Sequence, residues 1–141
     1  ASECGDCHMA YHPSLLPASS WIKLMAGLDD HFGEDASLDA VTVRNITDFL
    51  TRYSSEHWDS EAANNLRVVS ARDPLRITGA PYWLRRHKEI APAVFKQKNI
   101  GSKANCAACH SDAASGHFDD EKIAIPKPVR AVSADGNKSK T

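Results

Sequence analysis

No run of this 141-residue chain approaches the roughly 18 consecutive apolar residues of a membrane-spanning helix, so the reading is of a protein that does not span a membrane. Charge of one sign is not in excess. Lys and Arg number 17 against 18 Asp and Glu, and the formal net charge of −1 suggests neither nucleic acid nor anionic lipid as a partner. The chain begins at Ala1 without an initiator Met, which fits a processed export signal and a trimmed chain equally. Cysteine is scarce, with four in all, and no internal repeat appears beyond the two motifs that contain them.

Those motifs are "CGDCH" at residues 4–8 and "CAACH" at residues 106–110. In C-x-x-C-H the two thiols lie about one helical turn apart on one face. They can add across two neighbouring vinyl groups of a porphyrin while the adjoining His reaches the iron. Cys4, Cys7 and His8 would hold one haem, and Cys106, Cys109 and His110 the other. A zinc ribbon is the first alternative, but 98 residues separate Cys7 from Cys106 and zinc leaves the adjoining His unexplained. Redox thiols or disulfides are the second. A thioredoxin-type motif needs a βαβ setting, and no strong strand adjoins either pair.

Length allows one domain of usual size or two very small ones. Seven Gly and seven Pro, clustered through the middle, limit continuous secondary structure. A chain so interrupted has difficulty building two cores from side chains alone, and a bulky apolar cofactor in each half removes that difficulty. The expected organisation is mainly α, with two haem-organised subdomains. Residues 1–60 form the N-terminal one and 61–126 the C-terminal one, irregular with short helices. Residues 127–141 form an extended or disordered tail.

A haem iron held by one His has a second axial position, and its occupant decides between electron transfer and chemistry on a small molecule. "SSWIKLMAGLDDHFG" predicts a helix capped by Ser19 or Ser20 and stopped at Gly33. Trp21, Leu24, Met25 and Leu28 form its apolar stripe, and His31 continues that stripe. A polar ring at the end of a buried face needs a partner, either iron or a carbonyl. "SLDAVTVRNITDFLTRY" predicts a packing helix over the first haem pocket. Ser37 is its cap, Val43, Ile46, Leu50 and Tyr53 its apolar face, and Phe49 widens that face. "GAPYWLRRHKEIAP" predicts a short helix opened by Pro81 and ended near Ala91, with Trp83 and Leu84 sharing one side with His87. His87 is the second axial candidate, against the alternative of one buried core His. His12, His57 and His117 stand in reserve. Pro13 suits the end of a turn at His12, polar residues surround His57, and His117 is tethered closely to His110.

The blocks "CGDCHMAYHPSLLPASSW", "LDDHFGEDASLD", "LRITGAPYWLRRH" and "NCAACHSDAASGHFDDEKIAIP" together resemble the small bacterial dihaem cytochrome c family, from Cys4 to Pro126. The resemblance implies an N-terminal half similar to class I cytochrome c and two bis-histidine haems. The sixth ligands it implies are His31 for the first and His87 for the second. It further implies a periplasmic electron carrier and not an enzyme, and histidine in place of methionine as axial ligand predicts low potentials. The acceptor is then a small oxygen-binding monohaem cytochrome c, with a membrane cytochrome b-type donor upstream. Thioether formation on the exported side of the membrane fits that location. The competing function is a haem enzyme or sensor with one open axial position for peroxide, oxygen or nitric oxide. Two ferric haems with ionised propionates, about −1 each, take the chain to about −3, so a partner with a basic docking face is expected.

Overall fold

A computed structural model describes residues 9–127, so Cys4, Cys7, His8 and almost all of the expected tail lie outside the described residues. Regular structure among the described residues is helical and short. The α-helices are α1 (Ala18–Ala26), α2 (Ala40–Arg52), α3 (Glu61–Asn65), α4 (Pro81–His87) and α5 (Pro92–Phe95), with one 3₁₀ turn in each connection from α1 to α4. Strand pairing is confined to two isolated bridges, His31 with Glu34 and His110 with Ile123.

Two buried clusters organise the chain. In the first, α1 packs on α2 and brings Trp21, Met25, Leu28 and Leu50 around Leu16. In the second, Ala62 and Leu66 meet Leu15 and Ala80, with Tyr82, Trp83 and Phe118 against them. The 3₁₀ turn Pro13–Leu15 is the seam: Leu15 enters the second cluster, the next residue Leu16 enters the first, and Ile77 touches both. Trp21 Nε1–H donates to the Pro13 carbonyl at 2.8 Å and locks α1 to that seam. The Tyr11 hydroxyl donates to the Ala104 carbonyl at 2.6 Å, tying the segment after the first motif to the approach to the second. Burial pushes that phenol up to about 12, so it remains a donor at any physiological pH.

The first predicted helix is shorter than its sequence pattern suggests. Pro17, not Ser19 or Ser20, is the N-cap, and α1 ends at Gly27, whose N–H bonds the Leu24 carbonyl at 3.1 Å. Glycine loses more backbone entropy in a helix than any other residue, and here it breaks the apolar stripe before His31. Since Pro17 has no capping side chain, Glu56 supplies the cap from 38 residues away: the Ala18 N–H donates to Oε1 at 2.9 Å. Burial opposes ionisation of Glu56, but hydrogen bonds from Ser54 and Ala18 outweigh it and hold the carboxyl below its ordinary range. A lowered folded pKa means the stabilisation is complete above the ordinary glutamate value and is lost as pH falls through the folded one. Glu56→Ala is therefore expected to cost about 1 kcal/mol at neutral pH, with the difference from the parent shrinking in acid thermal melts.

The second predicted helix also starts later. Asp39, not Ser37, caps α2 by accepting the Thr42 N–H at 3.2 Å, while the Ser37 N–H bonds Asp35. Val43, Ile46 and Leu50 face the core as expected. Phe49 does not widen that face: it is 51% exposed and leans on the exposed Tyr53.

Candidate functional site

The second cluster opens into a cavity of about 140 Å³, walled by Leu15, Leu66, Trp83, Phe95 and Phe118, into which Cys106, Cys109, His87 and His110 all face. Each wall has a local cause. Pro81 sets φ for the first turn of α4 over the buried Ala80, so Trp83 and His87, four apart, lie one above the other. Their rings stack at 4.1 Å between centroids with 13° between planes. Leu84 does not share that side as its spacing suggested; it is 50% exposed. On the opposite wall the 3₁₀ turn Cys106–Ala108 continues until the His110 N–H bonds the Cys106 carbonyl at 2.9 Å. That single turn places both thiols and the imidazole on one rim. The Ala124 N–H donates to the Cys109 carbonyl at 2.8 Å and straps residues 123–125 across the cavity.

The two histidines oppose one another. Their ring centroids are 6.2 Å apart. Two imidazoles binding one metal from opposite sides, with metal–nitrogen bonds of about 2.0–2.1 Å and ring centres about 1.1 Å further on, stand about 6.3 Å apart. His87 Nδ1 lies 2.7 Å from the Trp83 carbonyl, which can only accept, so Nδ1 carries the proton and Nε2 keeps a lone pair. Burial holds both imidazoles below the ordinary histidine range, aided by the Arg86 charge at His87 and by His87 at His110. Both are therefore neutral at neutral pH, the state a metal requires. His110 Nδ1 is buried without a hydrogen-bond partner. Two neutral imidazoles lining one apolar cavity, beside two thiols, fit a covalently attached haem.

The thiols do not fit redox catalysis. Burial pushes Cys106 up to about 11 and raises Cys109 as well, whereas a reactive thiol needs its pKa lowered. Among the described residues no cluster of three or more His, Cys, Asp or Glu has the arrangement of a bare metal-ion site.

His31 is placed differently from its predicted position. It follows the 3₁₀ turn Leu28–Asp30 and is not on α1. Its backbone pairs in both directions with Glu34, at 2.7 and 3.1 Å. Phe32 and Gly33 follow at φ 52° and 90°, and the Arg76 guanidinium sits 4.4 Å over the Phe32 ring. Positive φ at a phenylalanine is strained and persists only where its surroundings enforce it. His31 is thus held by a tight turn clamped from the C-terminal half. Its expected iron partners lie outside the described residues.

The reserve histidines have other employment or none near the cavity. His12 Nδ1 lies 2.7 Å from Ser14 Oγ and accepts the Ser14 N–H, and the ring meets Trp58 edge-on. His57 and His117 are exposed.

Two functional positions were missed in the sequence. Phe118, at φ 50°, presses its ring edge-on against His110 at 5.0 Å and so orients the imidazole. Gly116, at φ 77°, makes that turn, and a Cβ there would meet His12 Nδ1 at 2.5 Å. The only signal was a glycine two residues before an aromatic. Gly116→Ala combines an unfavourable φ with a clash against a half-buried ring, and is expected to cost about 2–3 kcal/mol in denaturant unfolding of the holoprotein.

Comparison with known proteins identifies the family. A family model described as dihaem cytochrome c matches residues 1–118. The chain belongs to the dihaem cytochrome c family. Two c-type haems are accordingly its cofactors, and the helical fold is that of its relatives. A dihaem cytochrome c from Shewanella baltica is 33% identical, with TM-score 0.71 over 92% of both chains. One from Rhodobacter sphaeroides is 42% identical, with TM-score 0.68 over 83% of this chain and 92% of that one. A second structure from Rhodobacter sphaeroides is 40% identical with TM-score 0.65 over the same shares. A search of curated proteins gives no match.

Proposed function

We propose that this cytochrome is a periplasmic outer-sphere electron carrier in which both haems have two histidine ligands. Cys106 and Cys109 would attach the second haem and His110 and His87 would bind its iron; Cys4, Cys7, His8 and His31 would serve the first. The observation that carries the reading is the 6.2 Å opposition of His87 and His110 across an apolar cavity. Haem supplies a one-electron iron couple when bound. The chain's own residues determine how that couple is used. Trp83 fixes the His87 tautomer through its carbonyl and makes the ring a more basic ligand. Leu15, Leu66 and Phe118 keep water from the pocket. With both imidazoles on the iron, no position would be left for peroxide, oxygen or nitric oxide, and the second haem would serve electron transfer rather than catalysis. Histidine in place of methionine also gives low potentials, since thioether ligation is what raises them.

Electrons arrive from a membrane cytochrome b-type donor and leave to a small oxygen-binding monohaem cytochrome c. No helix among the described residues is long and apolar enough to cross a membrane. Carbon monoxide titration of the ferrous holoprotein tests the ligation. The reading expects an unchanged spectrum, and stoichiometric binding at either haem would favour the enzyme or sensor instead.

A further inference from the structure

The net charge of −1 conceals a strong division. Residues 9–60 carry three Lys and Arg against eight Asp and Glu, a balance of −5; residues 61–127 carry eleven against seven, a balance of +4. The positive charge is most concentrated between Arg85 and Lys103, which holds six cations and one carboxylate, Glu89. All six cations are exposed. Only Arg86 among them has ion-pair partners among the described residues, Asp120 at 2.9 Å and Glu61 at 3.4 Å.

Two of these cations lie at the cavity of the second haem and the others close to them in sequence. Arg86 and Lys103 line it, Lys96 follows the lining residue Phe95, and the Lys103 ammonium lies 5.6 Å over the Trp83 ring. Ile123 and Ile125 also line the cavity, and Leu84 on α4, outside its lining, is 50% exposed. Apolar side chains at the cavity, bordered by exposed cations, have the composition of a transient protein interface: an apolar centre with a charged rim.

We propose that this face of the second haem pocket docks a redox protein whose own surface is acidic, while the acidic N-terminal half is the pole that attracts a basic one. The proposal rests on the electron-carrier reading and refines it: electrons enter and leave at poles of opposite charge. A protein fits this face better than an anionic membrane. α4 has seven residues and α5 four, too short to lie as amphipathic helices in a lipid interface. Opposed poles also orient the molecule during encounter, because a charge-separated protein turns in a partner's field before contact.

The test uses the reduced holoprotein in stopped flow against two oxidised probes, plastocyanin as a small acidic copper protein and mitochondrial cytochrome c as a basic haem protein. For the parent, the plastocyanin rate should fall with rising ionic strength. In Lys96→Glu/Lys98→Glu that rate should drop about tenfold at low ionic strength and converge with the parent's at high salt. The cytochrome c rate should hold or rise, and both haem potentials should be unchanged on redox titration. An unchanged plastocyanin rate in the variant overturns the docking face alone. So does co-sedimentation of the parent, but not the variant, with phosphatidylglycerol vesicles alongside unchanged plastocyanin rates, which assigns the face to a membrane. Failure to reduce either probe overturns the carrier reading and the docking face with it.

Discussion

Replacing His87 with alanine is expected to turn the second haem from low-spin to high-spin and to open it to carbon monoxide and cyanide. The effect should be near-complete because, among the described residues, no histidine other than His87 and His110 lines the cavity. His12 is engaged with Ser14 and Trp58, while His57 and His117 are exposed and line no part of the cavity. Stability should suffer less than ligation. Trp83 loses a stacked ring but keeps its contacts with Phe95, and α4 remains fixed by Pro81 at its start. His87→Met should restore a six-coordinate iron and raise the potential of that haem by on the order of 100 mV. Optical spectra and a redox titration of the two variants check both points. A fully low-spin His87→Ala protein would assign the ligand elsewhere.

Removing the second attachment should have the largest effect on folding. Cys106→Ala/Cys109→Ala is expected to yield a holoprotein one haem lighter by mass spectrometry. The cavity of about 140 Å³, left without its cofactor, costs about 3 kcal/mol at about 24 cal/mol per Å³. Against a typical domain stability of about 5–15 kcal/mol this is a large share, corresponding to about 10 °C in thermal unfolding. The loss should concentrate in residues 61–127, where the second cluster is small and the helices are short, and hydrogen exchange would locate it. An unchanged melting temperature in the one-haem protein would mean that the cavity closes without its cofactor.

Much of the site was legible in the sequence because its geometry is local. The two thiols and His110 belong to one turn, and Trp83 with His87 to one short helix opened by a proline; both spacings translate directly into shared faces. What escaped is non-local or conformational. No pattern announces that Glu56 caps a helix starting at Ala18, nor that Arg76 clamps the turn carrying His31. Gly27 ended α1 where an apolar stripe ran on, because backbone entropy at one residue outweighed the periodicity around it. Phe118 reached His110 through a positive φ, a choice that residue type disfavours. The charge was misjudged for another reason. A net value of −1 is a sum over the whole chain, and it says nothing of how −7 over residues 1–60 and +6 over residues 61–141 are separated.

The most direct measurement is quantitative electron paramagnetic resonance of the fully oxidised holoprotein, with iron counted independently. Imidazole on both sides of each iron predicts low-spin ferric signals integrating to two spins per chain, with no high-spin component. A high-spin signal amounting to one spin per chain would show an iron with a vacant or weak axial position, and would contradict the pairing of His87 with His110 or of His8 with His31.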